Sequence, residues 1–169
     1  MLATIGYERS TLSDFIATLK LGNIETLVDV RERAQSRRPG FSKKSLEATL
    51  REAGIEYLHL PQLGDPKEGR DAARAGDMAR FREIYHEAIS TSVAREALSD
   101  LEKLASEKAI CLMCFERDPG DCHRKIVADK LEKSLQIKAS HWGVRVGAAH
   151  AGRDRRVLHS NQGSAASVQ

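Results

Sequence analysis

The stretch Ala109–Arg124, AICLMCFERDPGDCHR, concentrates residues that could do chemistry. An apolar run ending in Cys114 meets Glu116, then a Pro-Gly turn, then Cys122-His123-Arg124 at the predicted start of a helix. Where a buried strand gives way to a helix, the free N–H groups of the first helical turn face the opening, and sites are often built there. A thiol in that first turn, beside an imidazole and a guanidinium, is in a setting that lowers its pKa and makes it a nucleophile. Helical periodicity ranks the three residues differently. Val127, Leu131 and Leu135 form an inward stripe, Arg124 extends it, His123 flanks it, and Cys122 falls roughly opposite unless the first turn is irregular. The reading therefore puts Arg124 first over the strand ends, His123 second and Cys122 third. The alternative is a helix start packed by a small thiol, with a solvated basic pair.

Cys111-Leu-Met-Cys114 has the spacing of a metal knuckle. It lies inside a predicted strand, however, where residues three apart point to opposite faces, so the two sulfurs cannot chelate one ion. Cys114, Cys122 and His123 could do so if the strand ends early. The reading expects no metal and no cofactor, with Cys111 and Cys114 as buried thiols.

Asp29 and Arg31 are two apart on another predicted strand and share a face. A carboxylate at a strand's carboxyl end can orient a histidine, act as a base, hold a ribose hydroxyl, or pair with an arginine such as Arg124. Glu116 is the matching acid. Two acids and several arginines around one crevice suit a phosphate- or carboxylate-bearing ligand, because guanidinium pairs with either through two parallel hydrogen bonds. His59 ends a third strand, where a structural role is the commoner one, and Tyr7 follows the first. Between Arg31 and Lys44, six cations, including Arg37 and Arg38, stand against Glu32 alone, a local charge of +5. That loop could clamp an anionic substrate or a nucleic-acid backbone, or be a solvated surface. The chain has no P-loop, Gly-x-Gly-x-x-Gly, Gly-x-Ser-x-Gly or His-Glu-x-x-His motif.

Positioning these residues requires alternating strands and helices. Leu2–Ile5, Thr26–Val30, Ile55–Leu60 and Ala109–Phe115 read as short apolar strands, the last of them central, and Ile137–Trp142 can add a fifth. Helical spacing runs over Leu12–Leu21, from Ser42 to Ala53, Met78–Ser90, Val93–Ser106, and from a cap at Asp121 to Leu135. Gln62–Asp77, with three glycines and a proline, reads as a loop. The expectation is a single three-layer α/β domain over residues 1–142, with a mostly parallel sheet of about five strands and helices on both faces. The right-handed crossover rule gathers Tyr7, Asp29, Arg31, His59 and Glu116 at one edge. Residues 143–169 read as a basic, mobile tail, carrying four arginines against Asp154.

The chain has 169 residues, 41% of them hydrophobic and 30% charged, with a net charge of +3 that equals the charge of the tail. The body is neutral and carries no general nucleic-acid footprint. No apolar run approaches the roughly 20 residues that span a bilayer. MLATIGYERS reads as neither a basic leader nor an apolar signal, and three cysteines do not suggest a disulfide framework, so a cytoplasmic location is expected.

Thr4-Ile5-Gly6-Tyr7, Leu27-Val28-Asp29-Val30-Arg31, Ser36-Arg37-Arg38-Pro39-Gly40-Phe41, Tyr57–Gly64, Cys114–Pro119 and Cys122-His123-Arg124 together resemble the uncharacterised family called domain of unknown function 488. The resemblance spans about residues 3–135, and the last motif is the most specific. It implies a compact α/β domain with a site built from these motifs, and it implies no particular reaction. Leu27–Glu32 also resembles the early strand motif of rhodanese-like sulfurtransferases, which would make Cys114 the sulfur carrier. Glu116 and Asp118 then stand where a persulfide needs N–H donors and positive charge, which argues against sulfur transfer.

The expected function is a hydrolase or transferase acting on a phosphate-bearing small molecule, nucleotide or nucleic-acid end. Arg124, Arg31, Arg37 and Arg38 would bind the anion, with Tyr7 and His59 beside it. His123 or Glu116 would be the acid or base, Asp29 would orient, and Cys122 is the candidate nucleophile. The competing expectation is a non-catalytic module that binds a nucleotide or nucleic acid through the Arg31–Lys44 loop and the basic tail.

Overall fold

Short β-branched and apolar runs pair as strands because each can be buried on both faces only inside a sheet covered by helices. A computed structural model, describing residues 1–151, contains three such strands, β1 (Leu2–Gly6), β2 (Thr26–Asp29) and β4 (Ile110–Cys114), and two more exposed edge strands, β3 (Glu56–His59) and β5 (Ser140–Trp142). They form one parallel sheet in the order β3-β2-β4-β1-β5, with β4 at its centre and wholly buried. The period of two sorts the side chains of β4: Ile110, Leu112 and Cys114 enter one core, Cys111 and Met113 the other. The two cysteines of the CxxC spacing therefore lie on opposite sides of the sheet, as the alternation requires.

Helices α1 (Leu12–Leu21) and α2 (Lys43–Glu52) cover the Cys111 face, through Phe15, Leu19, Leu46 and Leu50. Helices α4 (Met78–Ala88), α5 (Ser92–Glu107) and α6 (His123–Leu135) cover the Cys114 face, through Phe81, Tyr85, Leu101, Val127 and Leu131. The result is the expected three-layer α/β arrangement. No helix among the described residues is long and apolar enough to cross a membrane.

Three local expectations are corrected. The segment read as a loop over Gln62–Asp77 contains α3 (Lys67–Arg74), steadied by a Lys67–Asp71 pair at i,i+4. Its Gly69 looked like a helix breaker, yet a Cβ there would sit 2.1 Å from Asp65 Oδ1. The glycine makes room for a carboxylate rather than ending a helix. Asp121 does not cap α6. It closes a short 3-10 turn, Pro119–Asp121, whose first N–H groups are served by Asp118, and the chain then runs through an extended Cys122 before the helix begins. Finally, residues 143–151 run back along α1, where Arg145 N–H donates to Thr18 Oγ1 (2.9 Å) and Ala149 N–H to Asp14 Oδ1 (3.1 Å). The remainder of the segment expected to be a mobile tail, residues 152–169, lies outside the described residues.

Candidate functional site

Parallel register aligns the carboxyl ends of the strands. Gly6 lies opposite Cys114, while Asp29 lies opposite both Met113 and His59. The chain leaving β4 folds over the end of β1, with Tyr7 N–H donating to Cys114 O and Glu8 N–H to Phe115 O. The approach is so close that a Cβ on Gly6 would meet Glu116 O at 1.8 Å. Gly6→Ala should therefore displace the Glu116 backbone and cost about 1–3 kcal/mol, measured by urea denaturation.

Behind this loop three donor groups converge. Cys114 ends β4, Cys122 precedes α6 and His123 opens it, all three buried. His123 Nδ1 is 3.8 Å from Cys114 Sγ and 4.0 Å from Cys122 Sγ, and the three donor atoms all lie within 4.8 Å of one another. His123 Nε2 is 2.8 Å from the carbonyl oxygen of Val30. A carbonyl can only accept, so Nε2 carries the proton and Nδ1 is the nitrogen turned towards the two sulfurs. Cys114 Sγ is also 3.2 Å from Glu116 Oε2.

The ionisation of the group follows from these contacts. Burial opposes a Cys122 thiolate, but donation from Cys114 and the charges of His123 and Arg124 outweigh it and hold this thiol well below its usual range. Cys114, donating to Cys122 and itself buried, is pushed well above that range. Burial works against a His123 cation, yet the Cys122 sulfur raises it to about 9. Glu116 is pushed up to about 7 by burial and by the charge of Cys122. These directions favour negative charge on Cys122, positive charge on His123, and a neutral Cys114 thiol beside a protonatable Glu116 carboxyl. On the far face, burial alone pushes the Cys111 thiol up and leaves it inert.

Cys122 is the residue that periodicity misplaced. Its backbone is extended (φ −135°, ψ 139°), so the helical wheel that set it opposite the stripe does not apply, and its side chain turns into the core. Nor are His123 and Arg124 a solvated pair, for both are buried.

The arginines expected at a bound anion hold the site together from inside. Arg124 is fully buried and donates to the carbonyls of Glu116 and Arg117, 2.5 and 3.0 Å away. Arg31 donates to both oxygens of Asp29, to Tyr7 Oη and to the Phe41 carbonyl. Asp29 therefore pairs with Arg31 and not with Arg124. Tyr7 is a core residue stacked on Phe41 at 4.3 Å. His59 Nε2 bonds the Arg31 carbonyl at 2.8 Å, a structural role. Arg38 is half-buried and donates to the Ser10 carbonyl, which leaves Arg33 and Arg37 exposed on the basic loop and Lys43 and Lys44 exposed in the first turn of α2. Glu116 is the candidate that also lines a cleft of about 520 Å³, together with Glu8, Arg9, Arg117, Asp118, Asp121, His141 and Trp142.

Two contributors escaped the sequence reading. Tyr85, from α4, lies 5.1 Å from the His123 ring and donates to the Leu63 carbonyl. Asp65 is buried, and its Oδ1 has no hydrogen-bond partner. Its one sequence signal is its place directly after Leu63-Gly64, within a segment whose glycines suggested only a loop. Burial pushes the Asp65 carboxyl up to about 6. The fold thus favours the protonated form, so this contribution to stability is full below the unfolded value near 4 and is lost as pH rises through about 6. Asp65→Asn should therefore gain about 1–2 kcal/mol over wild type near pH 7.5 and little near pH 4, in urea melts at the two pH values.

The family model described as "Domain of unknown function DUF488" matches residues 11–131, from the cap of α1 to the last buried leucine of α6. No curated protein and no solved structure matches the chain.

Proposed function

Since this chain belongs to the DUF488 family, whose description leaves its activity open, we propose that it is a hydrolase or transferase whose reaction centre is the Cys114–Glu116–Cys122–His123 group. The observation that carries this reading is the position of Glu116. Its carboxyl is 3.2 Å from the buried thiol of Cys114, and the residue also lines the cleft of about 520 Å³. Glu116 is therefore the group that can pass a proton between a substrate in the cleft and the charged centre behind it. Arg9 and Arg117 are the cleft groups that would meet a phosphate-bearing substrate, alongside the acidic Glu8, Asp118 and Asp121. The other arginines act as framework: Arg124 ties down the loop that carries Glu116, and Arg31 with Asp29 braces the end of β2. Sulfur transfer is not favoured, because a carboxylate oxygen beside Cys114 Sγ would repel a persulfide.

Chromogenic phosphate monoesters, diesters and acyl esters test the reading. Turnover of at least one is expected, and Glu116→Gln should reduce it by roughly 10²–10⁴-fold, the usual worth of a general acid or base, while the melting temperature stays close to wild type. A Glu116→Gln protein as active as wild type would overturn the assignment.

A further inference from the structure

The structure assigns Cys114, Cys122 and His123 as a binding site for one thiophilic divalent cation of the zinc class. A tetrahedral zinc ion, with Zn–S near 2.3 Å and Zn–N near 2.0–2.1 Å, sets its sulfur and nitrogen ligands roughly 3.6 Å apart and two sulfurs roughly 3.8 Å apart. The two sulfur–nitrogen separations here are 3.8 and 4.0 Å, and no pair of donor atoms in the triangle exceeds 4.8 Å. A contraction of a few tenths of an ångström on the two sulfur–nitrogen edges, and of at most about 1 Å on the sulfur–sulfur edge, would enclose the ion.

Three further observations point the same way. His123 donates its other ring nitrogen to a backbone carbonyl, the second contact that metal-ligating histidines nearly always make because it fixes the tautomer and aims the free nitrogen. Two sulfurs and one imidazole are the donor set that zinc takes up readily, and hard ions such as magnesium and calcium avoid. Asp65 is a buried carboxylate with an oxygen that has no hydrogen-bond partner, within electrostatic reach of both His123 and Cys122. A divalent charge among the three donors would add to the positive field that His123 and Arg70 already place on this carboxylate.

Three protein ligands leave a tetrahedral ion one open position, the arrangement of catalytic rather than structural zinc sites. Glu116, 3.2 Å from Cys114 Sγ, would neighbour a bound ion. Cys122 would then serve as a ligand rather than as a free thiolate. The assignment rests on the donor geometry and on the His123 contact to Val30, and stands whether or not the site turns over a substrate.

Reduced full-length protein, stripped with a chelator, is titrated anaerobically with Co²⁺ and read by absorbance. The expected result is saturation at one equivalent per chain, with thiolate-to-cobalt charge-transfer absorption in the near ultraviolet, tetrahedral d–d bands in the visible, and loss of both on adding Zn²⁺. Cys114→Ser and Cys122→Ser should each remove about half of the charge-transfer intensity, the share of one sulfur in two. Cys111→Ser, whose thiol lies on the opposite face, should keep it all. A wild-type protein that shows no charge-transfer band, or takes up cobalt without saturating at one equivalent, overturns the site, and this arm needs no variant to fold. Equal loss in Cys111→Ser and Cys122→Ser would also overturn it.

Discussion

Asp29→Ala should lower the free energy of unfolding by about 3–5 kcal/mol, the range for removing one member of a buried ion pair. The side chain is fully buried and both oxygens are engaged. Oδ1 accepts from the backbone N–H of Arg31 (3.1 Å) and from its Nε (2.8 Å), while Oδ2 accepts from Arg31 Nη2 (2.6 Å) and Tyr57 Oη (2.6 Å). Removing the carboxylate strands a guanidinium that is 6% exposed and a phenol whose ionisation burial and Asp29 already suppress. Urea denaturation at neutral pH measures the loss. The companion variant Asp29→Leu/Arg31→Met should recover most of it, since the penalty belongs to the uncompensated charge and an apolar pair of similar volume does not carry one. A single-variant loss below about 1 kcal/mol would mean that Arg31 finds another partner or water, and that the brace on β2 is not an ion pair in solution.

Arg124→Ala should cost a similar amount, about 3–5 kcal/mol, by a different route. It empties a large buried volume and strips the carbonyls of Glu116 and Arg117 of the donors that hold the β4–α6 loop down. Because that loop carries Glu116 and closes over Cys114, its release should reach the site as well. Cys114 and Cys122, 4% and 3% exposed in the native protein, should alkylate with iodoacetamide many times faster in Arg124→Ala than in wild type, while Cys111 stays protected by the central strand. Arg124→Lys keeps the charge but cannot bridge two carbonyls, so an intermediate loss is expected. Cysteine protection unchanged in Arg124→Ala would show that the loop is held by other contacts.

Local pattern was enough for the layers. Apolar runs of four or five residues between amphipathic helices can bury themselves only in a parallel sheet with both faces covered, and the period of two alone separates Cys111 from Cys114. The period of 3.6 likewise turned Arg124 inward with Val127 and Leu131. The crossover rule then brought Asp29, His59 and Glu116 to one edge before any distance was known.

Periodicity names a face only where the element already exists, and it never names a partner. Cys122 precedes the helix whose wheel was used to place it, so the extended backbone at that one residue, and not the pattern, delivers its sulfur to His123. Asp29 had two candidate arginines, and the choice of Arg31 over Arg124 depends on packing: Arg124 reaches the loop carbonyls, while Arg31 lies between Asp29 and Tyr7. Asp65 comes into the field of Cys122 from 57 residues earlier in the chain, and the glycine that admits it is the same one that hid α3. The chain's sequence by itself determined which faces are apolar, because that follows from spacing along one element. The tertiary structure alone decided which charged and sulfur-bearing groups meet, because those distances are set by how separate elements pack.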